Sequence, residues 1–169
     1  SKSTYYKKVA EGEPVLSVKN IFFNADSKHN GLNNVSFDIH RGEIFGVAGV
    51  DGNGQSELAQ VVAGLSIPES GTIVLKGKKI SVFDPMLIIE EGVSHIPEDR
   101  NRMGLVGDMT IQENLIMKIG KHNIFTSHNG WTLKEKNIRS FAQRLCELYD
   151  IRCSSIEQKA KELSGGNQQ

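Results

Sequence analysis

The stretch that most constrains this chain is "GVDGNGQS", residues 49 to 56, because of what lies on either side of it. "EIFGVAG" leads into it as a short apolar run, and after it Leu58, Val61, Val62 and Leu65 recur at i, i+3, i+4 and i+7. That pattern predicts strand, loop, helix. Glycines at 49, 52 and 54 let backbone N–H groups converge on anionic oxygens at distances a Cβ would obstruct, and the following helix adds its free N–H groups and positive dipole end. Gly49, Gly52, Gly54 and Ser56 fit a phosphate-binding loop, with Asn53 and Glu57 beside them and the Ser56 hydroxyl where magnesium is coordinated. Gln55 departs from the pattern, since a lysine usually stands there. Hydrogen bonds to charged groups contribute about 1.5–3 kcal/mol and ordinary ones about 0.5–1.5, so a neutral amide predicts binding weaker by roughly one to two orders of magnitude. Catalysis suffers more, because the missing charge matters most as the γ-phosphoryl group leaves.

The rest of the chain is arranged around that unit. Residues 1 to 13 are polar and read as a linker or tail ending near Pro14. "VLSVKNIFF" (15 to 23) and "LNNVSFDIH" (32 to 40) predict paired strands, and "SGTIVLKGKKI" a small hairpin about Lys76-Gly77-Lys78. Asp84, Pro85 and Gly92 supply the N-cap, first residue and stop of a short helix. "VSHI" (93 to 96) predicts a further strand, followed by the polar loop "PEDRNRMGLVGDM". Thr110 with Glu113 and Thr132 with Glu135 each form a capping-box pattern, so helices are expected to open at both. In the second, Ile138, Phe141, Ala142, Leu145, Leu148 and Tyr149 fall on one face. Residues 110 to 162 thus read as a helical lobe.

Composition narrows the function classes. With 169 residues and 38% hydrophobic content, the chain can bury the core of one domain with a subdomain. Its formal net charge of zero lacks the broad cationic field of a nucleic-acid binder. No apolar run approaches the ~18 residues of a membrane-spanning helix, and "SKSTYYKK" has no apolar core for a secretory signal, so a cytosolic setting is expected. The 2 cysteines, Cys146 and Cys153, read as reduced structural thiols. The 5 histidines show no ligand spacing, so no metal site of side chains alone is expected.

"LSGGNQQ", residues 163 to 169, taken with the glycine loop, resembles the signature motif of ATP-binding cassette ATPases. Its Asn-Gln-Gln spelling looks like the branch serving simple-sugar and nucleoside importers, and "GVAGVDGNGQSEL" and "HIPEDRNRMGLV" are similar to the second of two cassettes fused in one polypeptide there. Nucleoside importers are the closer match. The resemblance covers about residues 14 to 169 and implies an α/β P-loop NTPase fold: an antiparallel β subdomain and partial RecA-like core over 14 to 109, and an α-helical signature subdomain over 110 to 169. It also implies ATP and Mg2+, a second cassette facing this one head to tail, transmembrane permease subunits, an extracellular substrate-binding protein reached indirectly, and a peripheral place on the cytoplasmic face of the cell membrane. Leu163, Ser164, Gly165, Gly166, Asn167 and Gln168 then complete the nucleotide site of the partner cassette. A helix-start turn with a hydroxyl and two glycine N–H groups is chemically suited to an anion.

Some parts of the pattern are altered. Glu98 stands where the loop glutamine that meets metal, water and the membrane subunits belongs. Phe23 is the aromatic nearest to the adenine-stacking position, although its apolar setting is that of a core strand residue. No residue matches the magnesium-binding aspartate, the catalytic glutamate or the switch histidine, so a cassette truncated at its signature is expected, inactive by itself. The same residues bear on two other classes. A non-hydrolysing module that holds nucleotide or docks on a permease fits Gln55, whereas a small P-loop GTPase or kinase requires lysine at 55 and no signature.

Overall fold

The computed structural model describes residues 12–24, 31–119, 124–127 and 131–168. The chain divides into two units, Ser1–His95 and Ile96–Gln169. In the first, β1 (Leu16–Phe23) and β2 (Leu32–Ile39) pair antiparallel, with Val18 opposite Phe37 and Ile21 opposite Val35. Their apolar residues alternate only partly, and the reason is local. Asn20 and Asn34 take positive φ (51° and 56°), and the register shifts between Val18 and Ile21. The bulge moves the inward set from Leu16 and Val18 to Ile21 and Phe23, so one extra residue keeps the same face toward the core.

β3 (Ser70–Leu75) joins the other edge of β1, and β4 (Lys78–Lys79) turns back on it, giving a four-stranded sheet in the order β2-β1-β3-β4. Leu75 pairs with Lys78, leaving Lys76 and Gly77 as a two-residue turn with φ of 50° and 78°. Positive φ at both positions matches the right-handed twist of the strands. Helix α1 (Gln55–Val62) buries Leu58 and Val61 with Val18, Ile21, Leu32 and Ile73 of the sheet. Helix α2 (Pro85–Glu90) opens as expected, with Asp84 Oδ1 accepting from Met86 N at 2.8 Å and Gly92 reversing the chain at φ 89°.

In the second unit, α3 (Ile111–Ile116) carries the full capping box: Glu113 N donates to Thr110 Oγ1 at 3.3 Å and Thr110 N donates to Glu113 Oε2 at 2.7 Å. A short hairpin, β5 (Thr126–Ser127) with β6 (Thr132–Leu133), precedes α4 (Glu135–Leu148). Ile116, Phe125 and Ile138 are buried together with Phe141 packed against them, the two rings meeting edge to face at 5.0 Å. A 3-10 turn at Ala160–Glu162 and α5 (Gly165–Gln168) follow. Cys146 and Cys153 are free, and burial followed by the neighbouring Cys153 pushes the Cys146 thiol up to about 11.

Five expectations are corrected. "EIFGVAG" and "VSHI" form no strand: both run without a ladder, and Ile44 and Ile96 are 99% and 71% exposed. Parallel core strands gain their stability from neighbours on both edges and helices on both faces, and no described segment takes those places. Thr132 caps no helix, because it is paired with Ser127 in the hairpin; α4 starts after Lys134 with no side-chain cap. Leu65 lies beyond the end of α1, and Leu148 and Tyr149 are 66% and 70% exposed, since only the first turns of α4 face the Ile116–Phe125 cluster. Phe23 is half-buried and packs against the sheet core.

Candidate functional site

The glycine loop belongs to the first unit. Gly52 and Gly54 sit at φ 80° and 96°, in the left-handed region where a side chain is strained, and Gly54 is the N-cap of α1. A glycine cap offers no side-chain oxygen of its own to the first turn. Leu58 N is the first to bond back, to Gly54 C=O at 2.8 Å, so the amides of the preceding turn, Gln55 and Glu57 among them, lie ahead of the intrahelical ladder. Those donors and the helix dipole make a receiver for an anion. Glu57 is buried in this turn, while Ser56 and Asn53 stand exposed beside it.

Gln55 uses its side chain locally. Its Nε2 donates to Val50 C=O at 3.2 Å and lies so close over Gly49 that a Cβ there would stand 2.3 Å away. The amide thus satisfies a carbonyl of the loop itself, a bond a lysine ammonium could also make, but it brings no charge to the cradle. The backbone N–H groups of this turn suit an anion, and the Ser56 hydroxyl lies beside them in sequence. Among the described residues no group of three or more His, Cys, Asp or Glu could hold a metal by itself.

The turn at residues 163 to 168 and Glu98 belong to the second unit. Ser164 C=O accepts from Asn167 N at 3.0 Å and Gln168 N at 3.1 Å, closing a tight turn around exposed Gly165 and Gly166. Asn167 and Gln168 account for the spelling after the glycines. Asn167 Nδ2 donates to Ser164 Oγ at 2.9 Å while its Oδ1 accepts from Arg152 N at 3.1 Å. Gln168 Nε2 donates to Ala160 C=O at 3.1 Å. Two carboxamides therefore tie the turn to the preceding chain at Arg152 and Ala160, while Ser164, Gly165 and Gly166 remain exposed.

Glu98 is exposed and opens the segment running to Met109. That segment is held rather than loose. Asp99 Oδ1 caps a π-helical turn (Arg100–Gly104), accepting from Asn101 N and Arg102 N at 3.1 Å each. Lys161 N donates to Gly107 C=O and Ala160 N to Met109 C=O, both at 3.0 Å. Asn114 grips the same stretch: its Nδ2 donates to Val106 C=O and its Oδ1 accepts from Val106 N, at 3.0 and 2.9 Å. Lys161 holds the exposed Asp108 carboxyl below its usual range, a surface pair of small energetic weight. Asn114 was not singled out by sequence reasoning, and Arg100 only as an exposed charge, whereas the structure half-buries it. Arg100 was visible only as one charge of "PEDRNR", and a mid-helix asparagine carries no signal of a bond to a preceding loop.

The family model for the ABC transporter matches residues 32–169. The chain is 41% identical over 165 residues to the glucose import ATP-binding protein TsgD13 of Haloferax volcanii, covering 96% of this chain and 30% of that protein. It is 39% identical over 162 residues to the guanosine import ATP-binding protein NupO of Bacillus subtilis, covering 94% and 31%. Against the ribose import ATP-binding protein RbsA of Shouchella clausii it is 35% identical over 158 residues, covering 94% and 30%. The chain thus spans about a third or less of the length of the curated relatives it matches. Among solved structures, the post-hydrolysis dimer of the cassette MJ0796 with ADP and Pi matches with a TM-score of 0.66 at 21% identity, over 90% of this chain and 65% of that one. A nucleotide-free cassette from an ABC transporter gives 0.66 at 23%, over 92% and 61%. The fold is that of an ABC-type P-loop ATPase, and the chain belongs to the ABC transporter family as an ATP-binding cassette sequence homologous to sugar and nucleoside import ATP-binding proteins.

Proposed function

We propose that these residues form part of the second of two cassettes in the ATP-binding subunit of an importer for nucleosides or simple sugars. In this reading the glycine loop holds ATP with Mg2+ through Gly49, Gly52, Asn53, Gly54, Gln55, Ser56 and Glu57, weakly and with poor turnover. Leu163 to Gln168 complete the site of the partner cassette, where hydrolysis chiefly occurs. The residues present bind and orient nucleotide phosphates; none of them is assigned a proton transfer. The observation that carries the proposal is the contrast between the two motifs. Gln55 spends a neutral amide on its own loop, whereas Ser164, Gly165 and Gly166 are presented outward on a turn braced by Asn167 and Gln168. A non-hydrolysing nucleotide-binding or permease-docking module is the second reading, favoured by that same neutral amide.

Residues Glu98 to Met109 are proposed to meet a membrane subunit at the cytoplasmic face, with the extracellular binding protein acting through that subunit. Support comes from exposed Met103, Val106 and Met109 interleaved with Asp99 and Arg102 on a segment whose backbone is pinned. No helix among the described residues is long and apolar enough to cross a membrane, so the contact would be peripheral. The test is a cysteine placed at Met103 in the complete transporter. Cross-links are expected only when permease is present, and a functional complex giving none would remove this assignment.

A further inference from the structure

Arg100 makes a contact that the binding motifs do not explain. It is the first residue of the π-helical turn, whose start is fixed by the two bonds to Asp99 Oδ1. From there its Nε donates to Gln168 Oε1 at 3.3 Å, 68 residues away in sequence. Its Nη2 lies against the backbone of Gly165, 2.7 Å from where a Cβ on that glycine would stand. The guanidinium therefore touches the signature turn at both ends, first residue of α5 and last.

The contact closes a ring. Gln168 accepts from Arg100 with its oxygen and donates to Ala160 C=O with its nitrogen, and Ala160 N in turn donates to Met109 C=O. Met109 ends the segment in which Arg100 lies. A four-residue helix has too few internal bonds to hold its own orientation, so its direction is set by what grips its ends. Arginine suits that task, because its planar fork presents donors in fixed relative geometry where a lysine offers one rotatable point.

We infer that Arg100 is a positioning residue for the signature turn, holding Gly165 to Gln168 in register with the segment from Glu98 to Met109. The inference rests on the reading of that turn as part of the partner cassette's site and adds the route by which a membrane subunit at Met103 acts on it. Met103 and Arg100 share one turn, so displacement of the turn shifts the guanidinium. Gly165 and Gln168 shift with it. The coupling needs no contact between Arg100 and nucleotide.

Two readouts in the complete importer subunit test it. Amide hydrogen exchange at Asn167 and Gln168, measured without nucleotide, is expected to be about tenfold faster in Arg100→Ala with an unchanged melting temperature, the scale of losing one charge-assisted hydrogen bond. In the assembled transporter the same variant is expected to raise KM for ATP about three- to tenfold, because a misoriented signature weakens the closed state. A variant that merely lost folded protein would lower the rate with KM unchanged. Arg100→Lys should loosen the turn by a smaller factor, and it carries the test should the alanine variant not fold. Unchanged exchange over 165 to 168 in both variants overturns the inference, as does a lower rate with a lowered melting temperature and constant KM. If Ser164→Arg leaves turnover intact while Arg100→Ala loosens the turn, the assignment of the signature fails and the positioning role stands.

Discussion

Gln55→Lys is expected to tighten ATP binding at the glycine loop by about an order of magnitude. The wild-type amide lies over Gly49 and donates to Val50 C=O at 3.2 Å, so the position already directs its terminal nitrogen across the cradle. A lysine ammonium can keep that carbonyl bond with one proton and direct the other two at phosphate oxygens. Replacing a neutral donor by a charged one raises a hydrogen bond from about 0.5–1.5 to about 1.5–3 kcal/mol, and the difference of about 1–1.5 kcal/mol is roughly tenfold in Kd. Titration calorimetry with ATP and Mg2+ on wild type, Gln55→Lys and Gln55→Met measures it. Gln55→Met should lose several-fold, since it removes the amide while keeping a similar length. The gain should also shrink at high salt, as charge contacts are screened. A folded Gln55→Lys protein with no gain in affinity would mean that residue 55 does not face the phosphates, and the assignment of the loop would fail.

Three further outcomes concern stability. Thr110→Ala should cost about 1 kcal/mol by removing the capping hydroxyl of α3, read as a lower melting temperature. Glu113 is held below its ordinary 4.5, first by the Thr110 backbone N–H and then by its hydroxyl. A depressed carboxyl contributes stability above its unfolded value and loses it as pH falls through the folded one, so the deficit of Glu113→Gln against wild type should be full at pH 7 and shrink below pH 4.5; a deficit that grows on acidification would contradict the cap. Gly64→Ala should destabilise by about 1–2 kcal/mol, as measured by urea unfolding, because φ is +74° and the new Cβ would meet Ile88 Cγ1 at 2.8 Å and the Asp84 backbone at 3.3 Å.

What the sequence disclosed follows a physical line. Features fixed within a few residues were legible: the Lys76-Gly77 turn, the Asp84-Pro85 helix start and the Thr110 capping box all read correctly, because each depends on bonds made inside its own segment. The β1–β2 pair was legible despite broken alternation, and the break itself marks the bulge at Asn20. Features that depend on distant partners were not. "EIFGVAG" and "VSHI" have the composition of buried parallel strands, but composition cannot supply the neighbouring strands that make a ladder. Thr132 and Glu135 matched a capping box, yet the hairpin partner Ser127 claimed Thr132 first. At the candidate site, glycine spacing pointed to residues 49 to 57 and 163 to 168. The bonds between Arg100 and Gln168, Asn114 and Val106, and Asn167 and the Arg152 backbone N–H were not legible, because a polar side chain carries no periodicity to say which distant group it will meet.

The central claim is that this domain chiefly lends its signature and only holds a nucleotide of its own. Steady-state ATPase of the complete importer subunit with its permease, comparing Gln55→Ala and Ser164→Arg with wild type and checking folding by melting, tests it most directly. Gln55→Ala removes one neutral donor from a slow site and is expected to leave most of the rate. Ser164→Arg sets bulk and charge on an exposed turn against the nucleotide of the other cassette, and is expected to abolish most turnover. An exposed serine in a purely structural turn would instead tolerate substitution within about 0.5 kcal/mol of stability, with activity nearly intact. Equal losses from the two variants, or a larger loss from Gln55→Ala, would contradict the account.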